Sequence, residues 1–501
     1  MAVENKRSLE ESEDEAKAAR KAARKEAKKA ARKAEKKAAK EAAANNEGSN
    51  AASPSTPSVK AAPRFNKFAD APFAEPVRKA LEAKYPSPTD IQSQAWPAAL
   101  TGNDLIAVAK TGSGKTLAFV LPLLHRLSSS SGKAGVVRGL VLSPTRELAS
   151  QIHVEAELFG KLMGQPTMVV YGGTPLREQK QALTSTRPSV VVATPGRLVD
   201  LLEQGALSLA SCDAIVLDEA DRLLDMGFKP QLEATYKAMP ASRQTLLFTA
   251  TWPKAVRKLA ASYLRDEETT TLFLSGSGAG GQADGGGEVS ANGAGGAAGG
   301  HDDCELSANI AVSQSFVQAT DDEKDAKLWN LLSELEEGSR VIVFANTKRR
   351  VDNLAKTFYD FGTCAIHGDR SQKEREAALA SFIANTHPLM VATDVAARGL
   401  DIKLVTHVIN YDMARDVESY VHRIGRTGRA GAVGKSITFW NPDYDKECAP
   451  ALIKIARKAG QPVPDWLAKY ESTKASKVWS VDKAEKEVES LAQEIGGAKT
   501  K

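Results

Sequence analysis

An alternation constrains this chain more than any other feature. Between residues 64 and 274 the apolar runs "DLIAVAK", "GLVLSPT", "TMVVYGG", "SVVVAT", "AIVLDEAD" and "QTLLFTAT" each pass through a turn into a helical pattern. A short run that is apolar throughout fits a strand covered on both faces. Strand and helix in regular succession specify an α/β fold on a parallel sheet. Residues 275–303 break the rhythm with 12 glycines in 29 positions, too many for a packed element, and read as a flexible insertion. The rhythm then resumes in "VIVFANT", "CAIHG", "LMVATD", "HVINYD" and "KSITFW", and ends near Gly460. Two tandem parallel-sheet domains are therefore expected, 64–274 and 304–460, with ligands at the carboxyl ends of the strands.

The ends of the chain differ from this body. Residues 16–40 hold 12 Lys or Arg against two Glu, although the whole chain carries a formal charge of only +5. The residues outside 16–40 therefore sum to about −5, and the basic charge sits on an N-terminal segment, 1–63, with no aliphatic stripe to bury. That composition reads as a largely disordered tail, suited to a targeting signal, a nucleic-acid arm or simple solubilisation. Residues 461–501 read as a mixed-charge C-terminal tail. No apolar run approaches the ~18–20 residues of a membrane helix, and no secretory leader is evident. Cys212, Cys304, Cys364 and Cys448 form no C-x-x-C pair, which argues against a zinc site or a disulfide framework.

The chemistry starts at "AVAKTGSGKTLAF". A strand runs into Thr111, Gly112, Ser113, Gly114, Lys115 and Thr116, and a helix follows. Glycines let backbone N–H groups wrap a phosphate. Lys115 supplies charge at the β- and γ-phosphates, and the Thr116 hydroxyl can ligate Mg2+. The run "AIVLDEAD" ends a second buried strand in carboxylates that are costly to desolvate without a cation. Asp218 can hold the same Mg2+, and Glu219 can deprotonate an attacking water. A third element, "YVHRIGRTGRAG", places Arg423, Arg426 and Arg429 three apart. On a helical turn they would share one face and receive an anion. They belong to the second domain, so hydrolysis would require the two domains to close.

Beside these residues the chain resembles the DEAD-box ATP-dependent RNA helicases over about residues 65–460. "SPTDIQ", "AKTGSGKT", "PTRELA", the Gly pair at 172–173, "TPGR", "DEAD", "TAT" at 249–251, "VIVFANTK", "QKER", "ATDVAARGLDI" and "HRIGRTGR" stand in the order of that family's motifs. The resemblance implies two RecA-like domains and ATP with Mg2+ as cofactors. It implies that Gln92 reads the adenine while an aromatic stacks on it, Phe68 first, with Phe65 and Phe73 as alternatives. Asp401 would approach the ribose, and Arg426 and Arg429 the γ-phosphate. Thr249 replaces the usual serine and keeps its hydroxyl. Lys84 stands where the family usually has glycine. Arg146, Gly173, Thr194 and Arg197 in the first domain, and Thr347, Arg375, Thr393 and Arg398 in the second, would contact RNA. Such contacts to sugar and phosphate position a strand without reading its bases.

The implied activity is RNA-stimulated ATP hydrolysis coupled to local strand separation or ribonucleoprotein remodelling. The alternative is an ATP-gated RNA clamp or assembly scaffold. "FTATWPKAVRKLA", "SQAWP" and the Lys-rich N-terminal segment resemble the p68-related fungal nucleolar branch. That likeness implies a monomeric nuclear and nucleolar protein, with pre-rRNA and protein cofactors of pre-ribosomes as partners in large-subunit assembly.

Overall fold

The computed structural model describes residues 64–110, 112–129, 135–265, 269–274, 308–394, 402, 404–429 and 432–472, together with the backbone of 289–291. Thr111, Arg398, Asp401, Cys304, the 1–63 segment, residues 473–501 and the rest of the Gly-rich insertion lie outside the described residues.

The apolar runs form the expected strands. In the first sheet they are β1 (Leu105–Val108), β2 (Gly139–Leu142), β3 (Thr167–Val170), β4 (Val190–Ala193), β5 (Ala214–Leu217), β6 (Gln244–Thr249), β7 (Thr270–Phe273) and β8 (Val289–Ala291). Their spatial order is β3-β4-β2-β5-β6-β1-β7-β8. All neighbours are parallel except β7 and β8. Three residues of the Gly-rich insertion are thus in β structure, which its composition did not predict.

Both faces of the first sheet are covered. Along β1, Leu105 and Ala107 enter one core, while Ile106 and Val108 enter the other. Successive side chains alternate across a strand, so a two-sided core demands an unbroken apolar run. The edge strand β3 buries only every second residue.

The second sheet contains β9 (Val312–Gln318), β10 (Val341–Phe344), β11 (Thr363–Ile366), β12 (Leu389–Ala392), β13 (His407–Asn410) and β14 (Gly434–Trp440). Its order is β11-β12-β10-β13-β14-β9, with every neighbour parallel. In both sheets the strand carboxyl ends carry the motifs, so each lobe presents one functional edge.

The second lobe extends beyond Gly460, where the sequence suggests a tail. Asp465–Ala468 form a short helix and Leu467 is fully buried. Trp466 and Tyr470 lie 5.4 Å and 5.0 Å from the Trp440 ring, and Arg457 pairs with Glu471. The charges of the segment hid three apolar anchors spaced one and three residues apart. Cys212, Cys364 and Cys448 are free and buried, and burial pushes the Cys212 and Cys364 thiols up to about 12. Among the described residues no helix is long and apolar enough to cross a membrane.

Leu467→Ala is expected to destabilise the second lobe by ~2–5 kcal/mol, the range for emptying a fully buried leucine site. Urea unfolding followed by tryptophan fluorescence measures this, and a variant as stable as the parent would place the lobe boundary back at Gly460.

Candidate functional site

The loop after β1 is shaped for close backbone approach. Gly112 and Gly114 have φ of +75° and +93°, a region that favours glycine. A Cβ at Gly114 would stand 2.7 Å from Gln92 Nε2 and 2.8 Å from Thr89 Oγ1. Lys115 opens the helix Lys115–Ser129 and is only 8% exposed. Its ammonium donates to the carbonyls of Ala109 at 2.7 Å and Lys110 at 3.2 Å. Burial lowers its pKa, while Asp218, Glu219 and Asp221 pull the other way.

Gln92 locks this loop in place. Its Oε1 accepts from the Thr89 N–H at 3.0 Å and its Nε2 donates to Gly114 O at 3.0 Å. The side chain expected at the adenine is thus also the brace between a helix start and the phosphate loop. Phe68 is 4% exposed and packs 6.2 Å from Trp96. Phe73 is buried against Trp96 and His125, and Phe65 is half-buried. Lys84 reaches Glu155 at 2.6 Å, which ties the segment before Gln92 to the helix Arg146–Leu162.

β5 delivers the carboxylates. Asp218 is buried, and its Oδ1 accepts from the Glu219 N–H at 3.0 Å. Burial and then the Glu219 charge push the Asp218 carboxyl well above the usual range, with Lys115 opposing. Glu219 adopts a left-handed backbone, φ +50° and ψ +54°, at the start of the helix Ala220–Asp225. Such a conformation in a non-glycine residue costs of order 1–3 kcal/mol and marks functional sites. Two buried oxygens here have no hydrogen-bond partner, Glu219 Oε2 and Ser113 Oγ. An unpartnered acceptor beside Asp218 and a free hydroxyl on the phosphate loop fit a nucleotide and its hydrated Mg2+. One carboxylate and one hydroxyl, Asp218 and Thr116, suit an ion that keeps water and phosphate ligands.

Asp221 has a different task. Its Oδ2 accepts from the Thr251 N–H at 3.0 Å and the Thr251 hydroxyl at 2.7 Å, and the Thr249 hydroxyl donates to Thr251 O at 2.9 Å. From the second lobe, His422 Nε2 stands 3.7 Å from the same oxygen. Burial works against it, yet His422, Arg222 and Thr251 hold the Asp221 carboxyl well below the usual range. Burial and Arg222 press His422 down to about 4, so its imidazole is neutral at pH 7.

The three-arginine face does not form. The helix Val417–Ile424 stops at Gly425, and Gly428 turns the chain with φ +68°. Arg423 points into its own lobe, bound to Asp394, Asp412 and Asn346. Arg426 is buried, with its Nε on His422 O at 3.2 Å. Arg429 crosses the cleft. Its Nε donates to Gly425 O at 2.8 Å, and its Cγ and Cδ stand 3.2 Å from the position of a Cβ on Gly112. The phosphate loop of one lobe and an arginine of the other therefore share one site.

The residues expected to contact RNA lie at other strand ends. Thr194 follows β4, Thr347 caps the helix Lys348–Thr357 through the Arg350 N–H at 3.2 Å, and Thr393 follows β12. Arg146 packs on Gly173, where any Cβ would overlap its guanidinium, and reaches Gln372 across the cleft at 3.4 Å. Two expected ligand arginines have protein partners instead. Arg197 braces the Gly172–Thr174 turn through Gln179 at 2.9 Å and Thr174 O at 3.0 Å. Arg375 pairs with Glu147 of the first lobe at 2.6 Å, both buried. Burial pushes Glu147 up and Arg375 down, each against the attraction of the other. Sequence reasoning assigned no role to Glu147, Gln372, Thr251 or His422, although all lie inside the quoted motifs.

The comparisons agree with this geometry. A family model described as DEAD/DEAH box helicase matches residues 89–259, and one described as helicase conserved C-terminal domain matches 323–431. DEAD-box ATP-dependent RNA helicase 14 of Arabidopsis thaliana is 45% identical over 394 residues, covering 78% of this chain and 58% of its own length. ATP-dependent RNA helicase DBP2 of Candida glabrata is 41% identical over 413 residues, covering 81% of this chain and 70% of its own. This chain thus spans less than two thirds of the length of several relatives. Among solved structures, S. cerevisiae Dbp5 bound to RNA and ADP BeF3 superposes with a TM-score of 0.66 at 26% identity, covering 81% of this chain and 100% of that one. Mss116p bound to ssRNA and AMP-PNP gives 0.67 at 26%, covering 84% and 83%.

Removing one member of a buried ion pair strands the other, at a cost of ~3–5 kcal/mol. Glu147→Ala and Arg375→Ala are each expected to open the cleft, and Glu147→Met with Arg375→Met to restore part of the closure. Energy transfer between dyes on the two lobes reads this, and single variants as closed as the parent would show that the pair does not hold the lobes.

Proposed function

Because the chain belongs to the DEAD-box family of ATP-dependent RNA helicases, we propose that it hydrolyses ATP in response to RNA and uses lobe closure to separate or remodel RNA locally. The observation that carries this reading is the contact of Arg429 with Gly112, which completes a phosphate site only when the lobes meet. Lys115 exchanges its loop carbonyls for β- and γ-phosphate oxygens. Asp218 and Thr116 would hold Mg2+, which neutralises phosphate charge when bound. Glu219 Oε2 accepts a proton from the attacking water as the water oxygen bonds to the γ-phosphorus. The bond to the bridging oxygen then breaks, leaving ADP and phosphate. Arg426 and Arg429 stabilise the charge that develops on the transferring group.

RNA lies along Gly173, Thr194, Thr347 and Thr393, with Arg146 beside Gly173. Hydroxyls and backbone amides at strand ends suit sugar and phosphate contacts, and 2′-hydroxyl recognition favours RNA over DNA. Dbp5 and Mss116p have been solved with RNA bound. A role in ribosome biogenesis, on pre-rRNA in the nucleolus and as a monomer aided by pre-ribosomal proteins, is supported by the basic segment 16–40. The retained Lys115, Glu219 and Arg429 favour an enzyme over a passive clamp. Crosslinking the RNA bound in cells and sequencing it tests the choice of substrate.

Glu219→Gln keeps the side chain's size and loses its basicity. Turnover is expected to fall ~10²–10⁴-fold while ATP-dependent RNA binding persists; steady-state ATPase near the parent rate would remove Glu219 as the base.

Arg429→Ala is expected to lower RNA-stimulated kcat by ~10³-fold or more and to leave nucleotide-free RNA binding intact. Equal losses in an ATPase assay and an RNA titration would make Arg429 an RNA contact.

A further inference from the structure

One side chain stands between the two ligand faces of the second lobe and touches neither. Arg423 is 1% exposed. Its Nε and Nη2 bind the two carboxylate oxygens of Asp394, each at 2.6 Å. Nη1 donates to Asp412 O at 2.7 Å, Nη2 also donates to Asn346 Oδ1 at 2.7 Å, and the guanidinium lies over the Phe344 ring at 5.2 Å. These partners follow β12, β10 and β13, which are adjacent in the sheet. Asn346 is fixed twice more, by its N–H on Asp412 Oδ2 at 2.9 Å and its Nδ2 on Met413 O at 2.9 Å.

The neighbours of these partners give the arrangement its meaning. Asn346 directly precedes Thr347, and Asp394 directly follows Thr393. On the helix Val417–Ile424, the residue before Arg423 is His422, which faces Asp221 of the first lobe. The same helix leads into the turn that carries Arg426 and Arg429. A planar guanidinium fixes three acceptors in set directions, which an ammonium cannot do. One rigid fork thus ties this helix to the strand ends beneath Thr347 and Thr393.

We propose that Arg423 is a positioning residue that couples nucleotide-driven closure to the grip on RNA. It sets Asn346 and Asp394 relative to the helix bearing His422. The inference rests on the reading that Thr347 and Thr393 face RNA.

The test uses the full chain and two variants, Arg423→Lys and Asn346→Ala. Measured are thermal unfolding, affinity for a fluorescent ATP analogue, affinity for single-stranded RNA with and without a non-hydrolysable ATP analogue, and ATPase rate against RNA concentration. For Arg423→Lys, nucleotide affinity is expected within about twofold of the parent. The gain in RNA affinity on adding the ATP analogue should fall about tenfold, within the usual span of coupling between sites. A shift in unfolding temperature with parent-like coupling would show that Arg423 only packs the lobe, and would overturn the proposal. If Arg423→Lys does not fold, Asn346→Ala decides alone. It removes one acceptor without stranding the charge, since Asp394 remains, and parent-like coupling in it overturns the proposal equally. A parent protein whose ATPase ignores RNA would instead overturn the helicase reading, and this inference with it.

Discussion

A carboxylate at the end of a buried strand has to be neutralised by something outside that strand, and β5 ends in three within four residues. Asp218, Glu219 and Asp221 are all buried. Only Lys115 meets them from their own lobe's phosphate loop, and it is itself held by backbone carbonyls. Thr251 and Arg222 of the same lobe meet Asp221, and from across the cleft come His422 at Asp221 and Arg429 at the loop that holds Lys115. Closing the lobes therefore brings the Arg429 guanidinium and the neutral His422 imidazole to the site as well as enclosing it. A water-poor cleft strengthens each of these interactions.

Among the described residues the two lobes meet on two sides, with His422 at Asp221 on the first. On the phosphate side, Arg429 lies along Gly112. On the other side, Glu147 and Arg375 pair while Arg146 bridges Gly173 and Gln372. The helices that supply Arg146, Glu147, Gln372 and Arg375 all start at strand carboxyl ends, so the parallel sheets set both contacts at once. Thr251 ties Asp221 to the end of β6, next to β5. The segment after β5, the end of β6 and the other lobe thus meet at one carboxylate, Asp221.

Several sequence readings failed for the same physical reason. Spacing of three suggested that Arg423, Arg426 and Arg429 share a face, but the helix ends at Gly425 and each arginine meets a different environment. Arg375 and Arg197 were expected to contact RNA, yet their guanidiniums are engaged by Glu147, Gln179 and Thr174. A motif shows that a residue is near a site, while its free donors depend on neighbours distant in sequence. The boundary at Gly460 failed because charged residues outnumber Trp466, Leu467 and Tyr470, whose anchor, Trp440, lies in another strand.

The two-sheet architecture was legible in the sequence, because short apolar runs, each followed by a turn and a helical pattern, fit strands covered on both faces. The sequence also determined the phosphate loop, because Gly112, Gly114, Lys115 and Thr116 act over a span of five residues. Tertiary structure alone decided which residues of the two lobes meet. Asp221 with His422, Glu147 with Arg375, and Gly112 with Arg429 are separated by some 200 residues or more, and burial makes such pairing both necessary and dependent on geometry. Local spacing carries no information about a partner that arrives from the other lobe.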